Sequence, residues 1–130
     1  MCSNYIEMEL SKKEEQLMQF LWKLKKAFMK DLLVAYPEPK PATTTVATLL
    51  KRMIDKGFVA YKLYGTSREY YPLVKKKDYF SKQVNSLIKN FFNDSTLQFA
   101  SFFTSEIEFS TEELEELRKI IDEQIKKQKK

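Results

Sequence analysis

Histidine is absent from the 130 residues, glycine occurs twice and cysteine once. Each shortage removes a class of chemistry. Imidazole is the usual general base near neutral pH and the commonest nitrogen ligand for zinc or copper. Without it no Ser-His-Asp or Cys-His pair and no histidine metal site can be assembled. Gly57 and Gly65 are too few for a glycine-rich phosphate loop. Cys2 has no partner in its own chain, so an internal disulfide framework is excluded. It reads either as an incidental terminal thiol or as a redox-sensitive one. Long apolar runs are also missing, and nothing approaches the roughly 18 to 20 residues that span a bilayer. Met1-Cys2-Ser3-Asn4-Tyr5 lacks the basic-then-apolar layout of a secretion signal. A cytoplasmic location without membrane insertion is expected. No metal or cofactor is implied, and any enzyme would have to work with carboxylates alone.

What is present suffices for a core. Hydrophobic residues make up 43% of the chain and aromatics 14%, beside 32% charged residues. The formal charge of +5 is unevenly divided. Residues 1–77 carry 15 Lys/Arg against 8 Asp/Glu, and residues 78–130 carry 8 against 10. The cationic excess therefore lies in the first half, as it would if that half faced a polyanion.

The first half reads as three helices and a hairpin. Ser11-Lys12-Lys13-Glu14 has the form of a capping box, and Leu17, Met18, Leu21, Trp22 and Leu24 recur behind it at helical spacing. A short helix follows around Phe28–Tyr36, with Phe28, Leu32, Leu33 and Tyr36 inward. Pro37, Pro39 and Pro41 stop it, and Pro41 suits the first turn of the next helix. In that third helix Val46, Leu49, Leu50 and Met53 form one apolar stripe, and Gly57 stands where a left-handed cap is wanted. The period then changes to two. Phe58–Tyr64 and Glu69–Val74 read as strands, with Gly65-Thr66-Ser67-Arg68 as the hairpin tip. Helix, helix, helix, hairpin is the winged-helix order.

The second half reads as wholly helical. Phe80, Val84, Leu87, Ile88 and Phe91 stripe a helix from Lys77 to Phe92, and Asn93-Asp94-Ser95 breaks it before a short segment Thr96–Thr104. Ser110-Thr111-Glu112-Glu113 is a second capping box, opening a helix with Leu114, Leu117, Ile121 and Ile125 inward. The glutamates of its first turns and the lysines at its end suit the helix dipole, so the acidic run needs no metal. The expected class is mainly α with a small β-hairpin (α+β). Residues 1–76 form a winged helix-turn-helix, and residues 77–130 form a helical dimerisation domain.

These residues also resemble a known family, the penicillinase and methicillin-resistance repressors with their copper-responsive relatives. The likeness runs from Leu10 to Ile125. It is carried by Glu15–Trp22, Lys30-Asp31-Leu32, Thr44–Met53, Lys56-Gly57-Phe58-Val59, Arg68-Glu69-Tyr70-Tyr71-Pro72 and Glu112–Ile120. The resemblance implies repressors that sit on palindromic operators before antibiotic-resistance genes. It also implies induction through a membrane sensor protease, with cleavage inside the dimerisation domain at an Asn-Phe bond. Here the matching pair is Phe102-Phe103, and Ala47 stands where some members carry a basic residue. The cysteine-rich tail of the copper-responsive branch is missing.

The candidate DNA-contacting residues are Thr43, Thr44, Thr45, Thr48, Lys51 and Arg52 of the third helix, with Arg68 and Tyr70 of the hairpin. Threonine is a middling helix former, and base reading gives it a reason to crowd one exposed face. Lys51, Arg52 and Arg68 suit phosphates. Tyr61, Tyr64, Tyr70 and Tyr71 could stack on bases, but their rings are expected to fill the hairpin–helix interface, with one or two hydroxyls on phosphate. For dimerisation the candidates are Phe80, Val84, Leu87, Ile88, Phe91, Phe103, Leu114, Leu117 and Ile121. A tail this small cannot bury so much apolar surface alone. The competing expectation is a winged-helix module that binds another protein and no DNA.

Overall fold

The computed structural model describes residues 9–129, so Cys2 lies outside the described residues. The Ser11 hydroxyl accepts from the Glu14 amide at 3.2 Å, and the Glu14 carboxylate accepts from the Ser11 amide at 2.8 Å. This closed capping box starts α1, Lys12–Leu24. Lys25 ends it at φ 72°, a left-handed turn that sends the chain into the two-residue strand β1, Ala27–Phe28. Helix α2 spans Met29–Ala35 and is capped by a side chain from beyond its end. The Lys40 ammonium donates to the carbonyls of Leu33, Val34 and Tyr36 at 3.0, 3.3 and 2.7 Å, taking up acceptors the helix leaves free.

Helix α3, Thr43–Asp55, buries the expected stripe of Val46, Leu49, Leu50 and Met53. Ala42 is its N-cap, so Pro41 stands outside the first turn, contrary to expectation. Its end is a full Schellman motif: Phe58 N–H donates to Met53 O at 2.9 Å and Gly57 N–H to Ile54 O at 3.0 Å. Gly57 sits at φ 85°, which only a residue without Cβ adopts freely.

Strands β2, Val59–Tyr64, and β3, Ser67–Pro72, pair antiparallel from Val59↔Pro72 to Tyr64↔Ser67. The loop is therefore only Gly65-Thr66, with Gly65 at φ 64° in the first loop position. Arg68 belongs to β3 opposite Leu63, and not to the hairpin tip as the sequence suggested. Strand β1 adds to the other edge of β3 through Ala27↔Tyr70 and Phe28↔Glu69, giving the order β1-β3-β2. Three helices and this small antiparallel sheet make a winged helix.

The chain divides into compact units at Phe80–Ser81, inside helix α4, Lys76–Phe91, rather than at 76/77. Packing explains the shift. The Tyr79 and Phe80 rings lie 5.8 and 5.9 Å from the Trp22 ring, and Tyr79 also meets Phe58. Phe80, expected at a dimer interface, belongs to the first unit and meets the Trp22 and Tyr79 rings, yet it stays 37% exposed. The second unit continues with α5, Thr96–Glu106, and α6, Thr111–Gln128. Asn93 and Asp94, at φ 54° and 58°, make the break before α5. A chain of rings runs from Phe92 through Phe99 and Phe103 to Phe109, with neighbouring centroids 5.2–6.0 Å apart. Phe103 is thereby held within its own chain. Phe103 nonetheless stays partly exposed, whereas Ile88, at 5% exposure, is buried in the single chain and offers a partner little.

Candidate nucleic-acid interface

The outward side of α3 is built by what its inward side does. Burial of Val46, Leu49, Leu50 and Met53 fixes the helix rotation, which leaves Thr43, Thr44, Thr45, Ala47, Thr48, Lys51 and Arg52 exposed. Asp55 is the acid on this helix, at its last position. The Thr48 hydroxyl donates to the Thr44 carbonyl at 2.9 Å. Among the described residues the one ion pair is Lys56–Glu14, so neither Lys51 nor Arg52 is neutralised by a carboxylate.

That ion pair holds the end of α3 to the start of α1. The Lys56 ammonium lies 2.8 Å from Glu14 and donates to the Glu9 carbonyl at 3.0 Å. Glu14 is 1% exposed. Burial works against its ionisation, but the Lys56 hydrogen bond, the Ser11 amide and the Lys56 charge outweigh burial and hold the carboxyl below its ordinary range. Two further ties brace the base of the sheet and the first turns of α4. The Trp22 indole donates to Val74 O at 2.8 Å, and the Tyr79 hydroxyl donates to Glu15 at 2.6 Å. Burial and then the Glu15 carboxylate push the Tyr79 phenol well above its ordinary range, so it remains a donor.

On the hairpin, the Arg68 guanidinium lies 4.3 Å from the Tyr61 ring centroid, a stacking that fixes its position while its N–H edge stays available. Arg68 shares an open cleft of about 570 Å³ with Lys30, Thr66, Ser67, Phe28 and Tyr64. Two cations and two hydroxyls in one groove suit a sugar-phosphate strand. Lys30, Thr66 and Ser67 escaped the sequence reading. Lys30 stood in a matched signature without a role, and only the β1–β3 pairing brings it beside Arg68. Tyr70 requires a correction. It is 6% exposed, lies in the central strand and packs on the Tyr61 ring, so its ring serves the core and offers no face to a base, although it also lines the cleft beside Arg68. Tyr61, Tyr64 and Tyr71 remain partly exposed.

The sequence model of the penicillinase repressor family matches residues 10–123. The chain belongs to this family. Its relatives include the methicillin resistance regulatory protein MecI of Staphylococcus aureus strain N315, 29% identical over 119 residues, covering 88% of this chain and 94% of that protein. The penicillinase repressor of Bacillus licheniformis is 24% identical over 116 residues, covering 88% and 91%. Among solved structures, the DNA-binding domain of the repressor BlaI aligns with a TM-score of 0.48 and 22% identity, over 54% of this chain and 87% of that one. Family membership makes the chain a repressor-type regulator and not an enzyme. Among the described residues no helix is long and apolar enough to cross a membrane.

Proposed function

We propose that the chain is a cytoplasmic transcriptional repressor that binds palindromic double-stranded operator DNA as a homodimer. The observation that carries the reading is the outward side of α3: exposed threonines followed by two unneutralised cations, in a family of repressors. In a twofold-symmetric complex two such helices enter successive major grooves about 34 Å apart. Lys51, Arg52, Arg68 and Lys30 then hold phosphates, and the bound dimer occludes the promoter. Relatives named for methicillin resistance and penicillinase support antibiotic-resistance genes as the targets.

The dimer reading rests on the second unit. Val84, Leu87, Leu114, Ile121 and Ile125 are each 40–58% exposed in the single chain, an apolar surface that calls for cover. The test is fluorescence anisotropy with genomic promoter fragments across a salt series, alongside sedimentation equilibrium. Steeply salt-dependent binding by a dimer is the expected result. Salt-independent or absent DNA binding would leave the winged helix as a protein-binding module.

Induction follows the family route in this reading, through a membrane sensor protease and a cut near Phe102-Phe103. That pair lies inside α5, with Phe102 half exposed, so the helix must open locally before a protease can engage it. Intact-mass measurement of the repressor from β-lactam-treated cells tests this. A fragment ending between Phe99 and Ser105 is expected. Full-length protein alongside induced target genes rules proteolysis out.

A further inference from the structure

A threonine hydroxyl has one proton to donate, and Thr48 spends it inside its own helix, on the Thr44 carbonyl at 2.9 Å. In a helix a threonine settles into one of two rotamers in which its oxygen can bond the carbonyl a turn earlier, and the methyl takes a neighbouring staggered position. Thr48, which is exposed, therefore presents a methyl group and oxygen lone pairs, and no donor.

The neighbouring residues narrow the chemistry further. From Thr43 to Leu50 there is no Arg, Lys, Asn, Gln, Asp or Glu. Bidentate reading of guanine needs Arg or Lys, adenine needs Asn or Gln, and the cytosine amino group is read by Asp or Glu. None of these is available before Lys51. The Thr48 lone pairs can accept from the amino group of adenine or of cytosine alike and so do not tell those two apart, whereas the thymine methyl, which apolar contact reads, marks a single base.

We propose that Thr48 selects a thymine in each operator half-site through the base's 5-methyl group, its hydroxyl being committed to the Thr44 carbonyl. The inference rests on the operator-binding reading above and adds which base feature is read.

The test begins with the full chain and a random-sequence duplex library. Repeated selection supplies a bound duplex, and each of its thymines is then replaced singly by deoxyuridine, which removes only the methyl group. One position per half-site is expected to lose about four-fold in affinity, the worth of one buried methyl group. Replacing that thymine in both half-sites should cost about sixteen-fold if the sites add. Thr48→Ser should bind the thymine duplex as weakly as the deoxyuridine duplex and show no preference between them. Thr48→Val, which keeps the methyl and drops the hydroxyl, should retain the preference. Unchanged affinity at every deoxyuridine position, or selected half-sites without thymine, overturns the proposal while leaving operator binding intact. So does loss of binding in Thr48→Val with no deoxyuridine effect, which would make the hydroxyl a base donor. If selection enriches no sequence and binding is independent of salt, the operator reading itself has failed and the proposal falls with it.

Discussion

The two units carry the same kind of pattern and reach different ends. In the first, α1 and α3 turn their apolar stripes onto a three-stranded sheet, and Leu17, Met18, Leu21, Leu32, Val46, Leu50, Met53 and Val59 are at most 1% exposed. In the second, α4, α5 and α6 have equally readable stripes, yet among the described residues Ile88 alone is buried there. Periodicity tells which side of a helix is apolar. It does not tell what covers that side. The first unit closes on itself, and the second presents Val84, Leu87, Leu114, Ile121 and Ile125 to whatever comes next.

Breaking that outward face should have the largest effect. Ile121 is 58% exposed in the single chain, so a carboxylate there costs the monomer little and a covered interface much. Ile121→Asp is expected to give a monomer in sedimentation equilibrium. Its operator affinity should fall by about 10²–10⁴-fold, because two half-sites no longer share one binding event. A variant that remains dimeric with unchanged operator affinity would show that this face does not hold the partner.

The next effect contrasts one truncation in the two units. Leu21→Ala empties a fully buried site and should cost about 2–5 kcal/mol in denaturant unfolding, independent of protein concentration. Ile125→Ala, at a half-exposed site, should cost less and mainly through association. Its loss should therefore appear as a concentration-dependent midpoint. A concentration-independent loss as large as that of Leu21→Ala would place Ile125 in a core of its own chain.

How much was legible follows the same division. The capping boxes at Ser11 and Ser110, the stripe of α3 and the left-handed Gly57 could all be read, because each is a local pattern of a few residues. Strand β1 could not, since two residues have no period. Its absence from the reading hid the central position of β3, and with it both the burial of Tyr70 and the approach of Lys30 to Arg68. Phe80 and Ile88 fell on the correct stripe of α4, but a stripe carries no sign of which neighbour will cover each turn. Arg68 was placed at a tip because Gly65–Arg68 contains only polar and small residues. The strands instead pair up to Ser67, and a two-residue loop suffices.

A charge inside the first unit offers a third contrast, between a buried pair and an open cation. Lys56→Met leaves Glu14 buried without its cation, at a cost of about 2 kcal/mol at neutral pH, given that Lys56 is itself partly solvated. The sign of the pH dependence follows from the lowered Glu14 carboxyl. A group with a depressed folded pKa contributes its stability above its ordinary value, near 4.5, and loses it as pH falls through the lower folded value. The parent protein should therefore lose more stability than the variant between pH 7 and pH 3. Parallel acid profiles for the two would detach Lys56 from Glu14.

The smallest effect separates the two cationic contacts on either side of the interface. Arg52 extends from α3 without a carboxylate partner, whereas Arg68 is already stacked on Tyr61 in the wing. Each phosphate neutralised releases condensed counterions, so affinity falls with salt along a log–log line whose slope counts those contacts. Arg52→Ala and Arg68→Ala should each flatten that slope by about one unit, on specific and random duplexes alike. The two should differ in rigidity. Stacking on Tyr61 removes side-chain freedom before DNA arrives, so Arg68 has less order to lose on binding than Arg52. Tyr61→Leu, which leaves Arg68 charged but unstacked, should weaken binding at every salt concentration without changing the slope. A slope that falls by a full unit in Tyr61→Leu would mean that the ring places the guanidinium on phosphate. An affinity that does not move would mean the stacked position is not the one used on DNA.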